Sequence, residues 1–241
     1  MQQSQYQSMF QAESAHWWFV AKRLFVMFFL KESKLAKNNK ILDLGCGTGG
    51  MTQFLQSWGE VTGVEQNSKA VDFCKQRKLR IILSSINKIP ANGNSFDLIT
   101  IFDVLYHKRV DEKAVLKEAN RLLKKDGYLL ITDCVLPFFW SVHDEQMMAK
   151  KRFHKRELED LLTTHGFKII RSNYLYFATF PFFVLQRMIL KIFKPKQVRT
   201  VDQVSPILNS MLLLLIKIDL FLLEKNISLP IGSSVIILAK R

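Results

Sequence analysis

Glycines at 45, 47, 49 and 50 follow the run Ile41-Leu42-Asp43-Leu44 and precede a segment of helical pattern. A buried strand that turns on glycines into a helix lets backbone amides approach a ligand with no Cβ in the way. The spacing satisfies G-x-G-x-x-G, and Glu65 stands twenty residues after Gly45, at a strand end where a carboxylate accepts hydrogen bonds from ribose hydroxyls. The glycines alone do not separate a nicotinamide dinucleotide from another adenosine cofactor. Asp43 separates them, because a carboxylate two residues before the first glycine requires compensation. A sulfonium and an ammonium group, as in S-adenosylmethionine, supply positive charge there, whereas the phosphates of a dinucleotide would be repelled.

The elements that must position these residues are legible as short apolar runs alternating with helical patterns. Strands are expected at 40–44, 60–65, 80–84, 96–102, 128–132, 167–176 and 234–240, and helices at 51–58, 69–77, 112–123 and 155–165. Gly127 is expected to supply the turn that follows the helix at 112–123. The fold class is α/β: a Rossmann-like, seven-stranded, mostly parallel sheet whose last strand is antiparallel, with a helical insertion before it. One domain is expected over 1–241, with an N-terminal helical lid at 1–35 and an apolar, basic helical insertion at 177–230.

The stretch from Asp43 to Gly49 resembles the first motif of class I S-adenosylmethionine-dependent methyltransferases, acidic-x-G-x-G-x-G, at every defined position. The resemblance extends through Val64-Glu65-Gln66-Asn67, the loop Ser84-Ser85-Ile86-Asn87, the segment Asp103-Val104-Leu105-Tyr106-His107, and residues 122–131. It implies cofactor contacts for Asp43, Gly45, Cys46, Gly47, Gly49, Glu65, Gln66, Ser85, Ile86 and Asp103. Cys46 is expected to lend its backbone amide rather than a reactive thiol. Ser85 departs from the family, which usually places an acidic residue there, so the adenine amine must be met by Ser85 or by backbone.

The whole chain also resembles a bacterial subgroup often encoded with envelope polysaccharide and lipid biosynthesis. His16-Trp17-Trp18-Phe19 with Lys22-Arg23, the segment from Phe139 and Trp140 to His143 and Asp144, and Leu229-Pro230-Ile231-Gly232-Ser233-Ser234 carry that likeness. Ala149 replaces a histidine of the subgroup before Lys151-Arg152-Phe153. Trp17, Trp140, His143 and Asp144 are therefore the acceptor-binding candidates, although His143 and Asp144 could equally cap a loop. Lys22 or Arg23 is expected near the methionine carboxylate, with Arg23 counted among the cofactor residues. Methyl transfer by in-line displacement asks the protein mainly to position the nucleophile and exclude water. His107, just past the fourth strand, is the candidate base where an acceptor must lose a proton.

The chain carries 35 Lys and Arg against 21 Asp and Glu, a net charge of +14. Residues 150–241 hold 16 of the basic and 6 of the acidic side chains, so the excess lies beyond the cofactor motifs. Over 161–201 seven Lys and Arg are interleaved with aromatics and aliphatics, with no Asp or Glu. That texture suits the headgroup region of an anionic membrane surface. It argues against DNA and disfavours RNA, which remains the alternative partner, with a non-catalytic accessory protein as a third reading. A small-molecule or lipid-linked acceptor is expected, at a cytoplasmic location peripheral to the inner membrane face. The oligomeric state is open. Cysteines 46, 74 and 134 form neither a disulfide pattern nor a metal-ligand spacing, and no secretory signal is read at the N-terminus. The apolar stretches 19–30 and 207–223 contain charges, and neither is expected to span a membrane.

Overall fold

The computed structural model describes residues 3–33, 35, 36, 38–193 and 204–241. Seven strands form one sheet: β1 (Asn39–Leu44), β2 (Gly59–Glu65), β3 (Arg80–Leu83), β4 (Phe96–Phe102), β5 (Leu123–Cys134), β6 (Lys168–Leu175) and β7 (Ser234–Lys240). Their order is β3-β2-β1-β4-β5-β7-β6. The first five run parallel, and β7 lies antiparallel between β5 and β6. The helices are α1 (Gln3–Ala12), α2 (Trp17–Glu32), α3 (Gly50–Leu55), α4 (Ser68–Gln76), α5 (Glu112–Leu122), α6 (Val142–Gln146), α7 (Lys155–Thr164), α8 (Phe180–Phe193) and α9 (Pro206–Glu224).

Alternation along the strands divides the interior into two cores, one on each face of the sheet. Leu42, Ile99, Ile101, Val235 and Ile237 meet Leu116 and Leu122 of α5 and Leu158 and Leu162 of α7. Ile41, Leu98, Leu130, Ile236 and Leu238 meet α2, Leu55 of α3, and Ile216 and Leu223 of α9. Both faces are covered, which is why the central strands read as near-continuous apolar runs.

The turn before residue 128 is made inside β5, with Asp126 in the left-handed region (φ 66°) beside Gly127. Asp tolerates that region better than a branched residue does. The lid expected at 1–35 narrows, because Phe25, Val26, Phe29 and Leu30 of α2 are fully buried and α2 packs against α9 as a core layer. Only α1 and the first turns of α2 reach the ligand side; positions 1, 2 and 34 lie outside the described residues. The insertion consists of α8 and α9, and its expected basic residues Lys194, Lys196 and Arg199 likewise lie outside the described residues.

The stretch 208–223 is not covered all round. Among the described residues, α9 is one helix long and apolar enough to cross a membrane. One face nevertheless packs inward through Leu212, Ile216, Asp219 and Leu223. The Asp219 carboxylate accepts the Phe177 and Ala178 amides at 2.8 and 2.9 Å. Burial pushes its pKa up to about 6. The opposite face exposes Ile207, Met211, Leu214, Ile218 and Phe221, and α8 exposes Phe182, Leu185, Met188, Ile189, Ile192 and Phe193. Both sets recur at the helical period.

Candidate active site

The strand order reverses between β1 and β4, and a crevice at the carboxyl ends of strands is expected at such a switch point. A cavity of about 900 Å³ lies there. Residues following β1 to β3 line one half, and residues from β4, β5, α6 and α8 line the other.

In the first half the glycine-rich turn is tied to the protein itself. Gly45 and Cys46 donate their amides to Val64 O at 2.8 and 3.1 Å, and Gly49 donates to Cys46 O. Gly47 donates to Glu65 Oε2 at 3.0 Å, while Glu65 Oε1 accepts the Asn67 amide at 2.8 Å. The expectation that Cys46 lends its amide to a ligand is therefore corrected: that amide belongs to β2. Positive φ at Gly45 (72°) and Gly47 (57°) shapes the turn. A Cβ on Gly45 would lie 2.7 Å from Val104 Cγ2, and one on Gly47 would meet only Met9 Cε, at 3.1 Å.

Carboxylates dominate this half. Asp43 is buried, and both its oxygens accept hydroxyls, from Thr52 and Thr100, each at 2.7 Å. Burial raises its pKa against the lowering effect of those bonds and of Lys22. Its compensation thus comes first from two threonines. Glu65 is also raised, by burial first and despite its amide bonds. Glu13 lines the wall and pairs with Arg77 at 2.8 Å. A turn whose amides are committed and whose walls are acidic fits a cationic adenosine cofactor and not a pyrophosphate. The residues present therefore fit S-adenosylmethionine.

Lys22 crosses from α2 into the cavity, forms an ion pair with Asp103 and lies over the Trp18 ring, 3.5 Å from its centroid. Arg23 does not line the cavity. Its guanidinium donates to Glu13 O and Ser14 O, at 2.6 and 3.0 Å, and so closes the link between α1 and α2. Three further expected residues lie off the wall. Gly49 packs against Leu79 and Cys74. Ser85 sits on an exposed loop, its hydroxyl accepting the Asn87 amide at 3.3 Å, while Ile86 beside it lines the cavity. Trp140 donates to Glu145 Oε1 at 3.3 Å.

Asp43, Gly45, Cys46, Gly47, Glu65, Gln66, Ile86, Asp103, Trp17, His107, His143 and Asp144 all face the cavity. His107 is held by a bridge to Ala149, and its Nδ1 accepts the Arg109 amide at 3.3 Å. Burial lowers its pKa first, with nearby Arg109 and Lys150 adding to the shift. The neutral ring therefore carries its proton on Nε2. Asp144 turns out to cap α6, through the Ser141 amide at 3.0 Å, and to bind Arg152 at 2.7 Å. Sequence reasoning missed Tyr6 and Met9 of α1 and Glu13 just beyond it, whose three- and four-residue spacing was the available signal. It also missed Arg187, which with Lys191 is one of two charges inside the apolar helix α8.

Residues 35–166, more than half of the chain, match a family model described as a methyltransferase domain. An uncharacterised methyltransferase of Schizosaccharomyces pombe is 31% identical over 49% of this chain and 50% of its own length. A demethylmenaquinone methyltransferase of Staphylococcus aureus is 31% identical over 45% of this chain and 48% of its own. The chain thus spans about half the length of both relatives. Among solved structures, an S-adenosylmethionine-dependent methyltransferase of Thermotoga maritima superposes with a TM-score of 0.59 at 17% identity, covering 98% of this chain and 95% of that one. A geranyl diphosphate C-methyltransferase of Streptomyces coelicolor gives 0.60 at 19%, covering 92% and 79%. These two likenesses concern the fold alone. Together with the acidic glycine turn and the antiparallel β7, the family match shows that this chain belongs to the class I S-adenosylmethionine-dependent methyltransferases.

Proposed function

We propose that the protein transfers a methyl group from S-adenosylmethionine to a small-molecule or lipid-linked acceptor in the cavity at the β1–β4 switch point. The observation that carries this reading is the acidic, amide-committed turn in one half of a cavity whose other half holds His107 and His143. When bound, S-adenosylmethionine supplies an electrophilic methyl group for in-line displacement. Asp43, Glu65 and the backbone around Gly45 and Gly47 would hold it. Trp17, Trp18 and Phe19 close the α2 side and exclude water. His107 keeps its proton at Nε2, from which it orients an acceptor oxygen by donating a hydrogen bond to one lone pair and leaving another free to attack the methyl carbon. The similarity to a demethylmenaquinone methyltransferase supports an apolar acceptor. A tritiated-methyl transfer assay on fractionated lysate tests the reading: label is expected in lipid or small-molecule fractions, and label in RNA alone would overturn it.

His107→Ala is expected to lower kcat about 10-fold, the loss of one orienting hydrogen bond of about 1.5 kcal/mol. His107→Gln should restore most of that loss, because its amide supplies a donor. A glutamine variant as inactive as the alanine one would show that the ring instead removes the acceptor's proton. Acidification well below the ordinary histidine pKa should depress the unaltered enzyme, because protonating Nδ1 breaks the bond from the Arg109 amide that orients the ring, and burial delays that protonation by lowering the pKa.

The reading extends to a peripheral position on an anionic bilayer. Outward apolar stripes on α8 and α9 are flanked by exposed Lys191, Lys217 and Lys225 against Glu224. Each basic residue near an anionic leaflet adds about 1 kcal/mol. The protein is expected to float with liposomes containing phosphatidylglycerol, and Ile192→Glu with Leu214→Glu should leave it at the bottom. Equal recovery of both proteins in the floating fraction would sink the membrane claim.

A further inference from the structure

We propose that the acceptor is an amphiphile whose oxyanion head group, phosphate or carboxylate, docks on Arg152 and Arg187 while its apolar chain leaves between α8 and α9. The inference rests on the methyl-transfer reading for the identity of the ligand as acceptor. It goes beyond that reading in placing the ligand's charge.

Both arginines are buried, at 4% and 6% exposure, and both line the cavity. They come from segments far apart in the chain, and neighbouring groups fix their orientation before any ligand arrives. Arg152 donates to Asp144 Oδ1 at 2.7 Å, Val135 O at 2.8 Å and Ser233 O at 3.2 Å. Arg187 donates to Ser141 Oγ at 2.5 Å and Asp144 Oδ2 at 3.2 Å, with His143 Nδ1 3.5 Å away. Both guanidinium groups lie over the Phe183 ring, 5.4 and 5.1 Å from its centroid. Burial raises the Asp144 pKa, but Arg187 and Arg152 together hold it below its ordinary value, so the carboxylate stays ionised and keeps the two planes in place.

A fixed planar fork matches carboxylate and phosphate oxygens better than a flexible ammonium does. Ordering the fork beforehand also removes the entropic cost of arranging it around the ligand. The placement is selective within the cavity. The half around the glycine turn is walled by Glu13, Asp43 and Glu65 alongside Arg109, so carboxylates outnumber cations there, whereas the α6–α8 half presents two arginines and His143 against the single carboxylate of Asp144. An acceptor with a negative head is thereby oriented with that head away from the cofactor's carboxylate-lined seat.

The route for the chain is apolar. Phe182, Phe183, Leu208 and Leu212 line the same half. On the outward side of α9, Pro206, Ile207, Met211 and Leu214 border a second groove. A ligand anchored at the arginines and passing these side chains would emerge on the surface formed by the exposed stripes of α8 and α9.

The test is a calorimetric titration of the full chain with decyl phosphate, decanoate, decanol and inorganic phosphate, each below its micelle concentration, alongside S-adenosylmethionine. Decyl phosphate or decanoate is expected to bind at least tenfold tighter than decanol, and the tighter of the two identifies the head group. Arg187→Met should abolish the preference, and Arg187→Lys should retain part of it, with S-adenosylmethionine affinity unchanged in both. The ligand series on the unaltered protein decides the matter even if a variant does not fold. Decanol binding as tightly as the anions overturns the inference. Inorganic phosphate binding as tightly as decyl phosphate overturns the amphiphile and leaves free phosphate as the source. Intact S-adenosylmethionine binding with no head-group preference sinks this inference alone, whereas absent S-adenosylmethionine binding sinks the methyl-transfer reading.

Discussion

Replacing Glu65 by alanine is expected to weaken S-adenosylmethionine binding about 100-fold. One oxygen of Glu65 holds the Gly47 amide and the other the Asn67 amide, so the carboxylate clamps the glycine turn to the end of β2. Glu65 also lines the cavity, where ribose hydroxyls are its expected partners. A hydrogen bond to a charged group contributes about 1.5–3 kcal/mol. Losing two toward the ligand, about 3 kcal/mol in all, corresponds to roughly 100-fold in affinity. Glu65→Gln keeps one oxygen and should lose about tenfold by the same arithmetic. Calorimetric titration checks both, and an unchanged affinity in the alanine variant would remove Glu65 from the cofactor site. The pH dependence has a definite sign. Burial holds the Glu65 pKa above its ordinary value, so affinity should fall as pH drops through that raised value and be retained above it.

Lys22→Met should destabilise the fold by about 3 kcal/mol, at the lower end of what breaking a buried ion pair costs. The Lys22 and Asp103 side chains are only 5% and 15% exposed, and the methionine variant strands the Asp103 carboxylate in the cavity wall. Asp103→Asn is the natural second change, because the backbone there is left-handed (φ 54°) and asparagine tolerates that region. The double variant should recover at least about 1 kcal/mol relative to the sum of the two single losses, which a double-mutant cycle measures directly. Urea unfolding supplies the free energies. Strictly additive losses would show that the pair does not couple α2 to the end of β4.

The cofactor half of the site was legible in the sequence because it is local. A strand, a glycine turn and a helix lie within twenty residues, and the backbone requirements of such a turn leave little choice of residue type. Glu65 follows at the end of the next strand for the same reason. Strand positions were legible wherever a run is buried on both faces, as in β4 and β7, since such runs carry their own signal. The turn at 126–127 was legible as well, since Asp at position 126 tolerates the left-handed conformation that the turn requires there.

Helical periodicity shows that one face of a helix is apolar, but not what covers it. In α2 the same aromatic stripe is compatible with a lid or a core layer. Packing of Phe25 and Phe29 under the sheet decides for the core, and the rotation of α2 that this packing imposes brings Lys22, four residues after Trp18, into the cavity. Arg23, about 100° further round the helix, is turned to the α1 link.

The sequence by itself determined the α/β alternation, the acidic glycine turn and the kind of cofactor that turn accepts, since short-range backbone geometry and charge dictate all three. Tertiary structure alone decided which of two adjacent cations enters the cavity, that the Cys46 amide is spent on β2, and that Arg152 and Arg187 meet on Asp144. Those outcomes depend on the pairing of β1 with β2 and on the packing of α2 and α8 against the sheet, and the residues they bring together lie from eight positions apart, as Asp144 and Arg152, to 81, as Lys22 and Asp103.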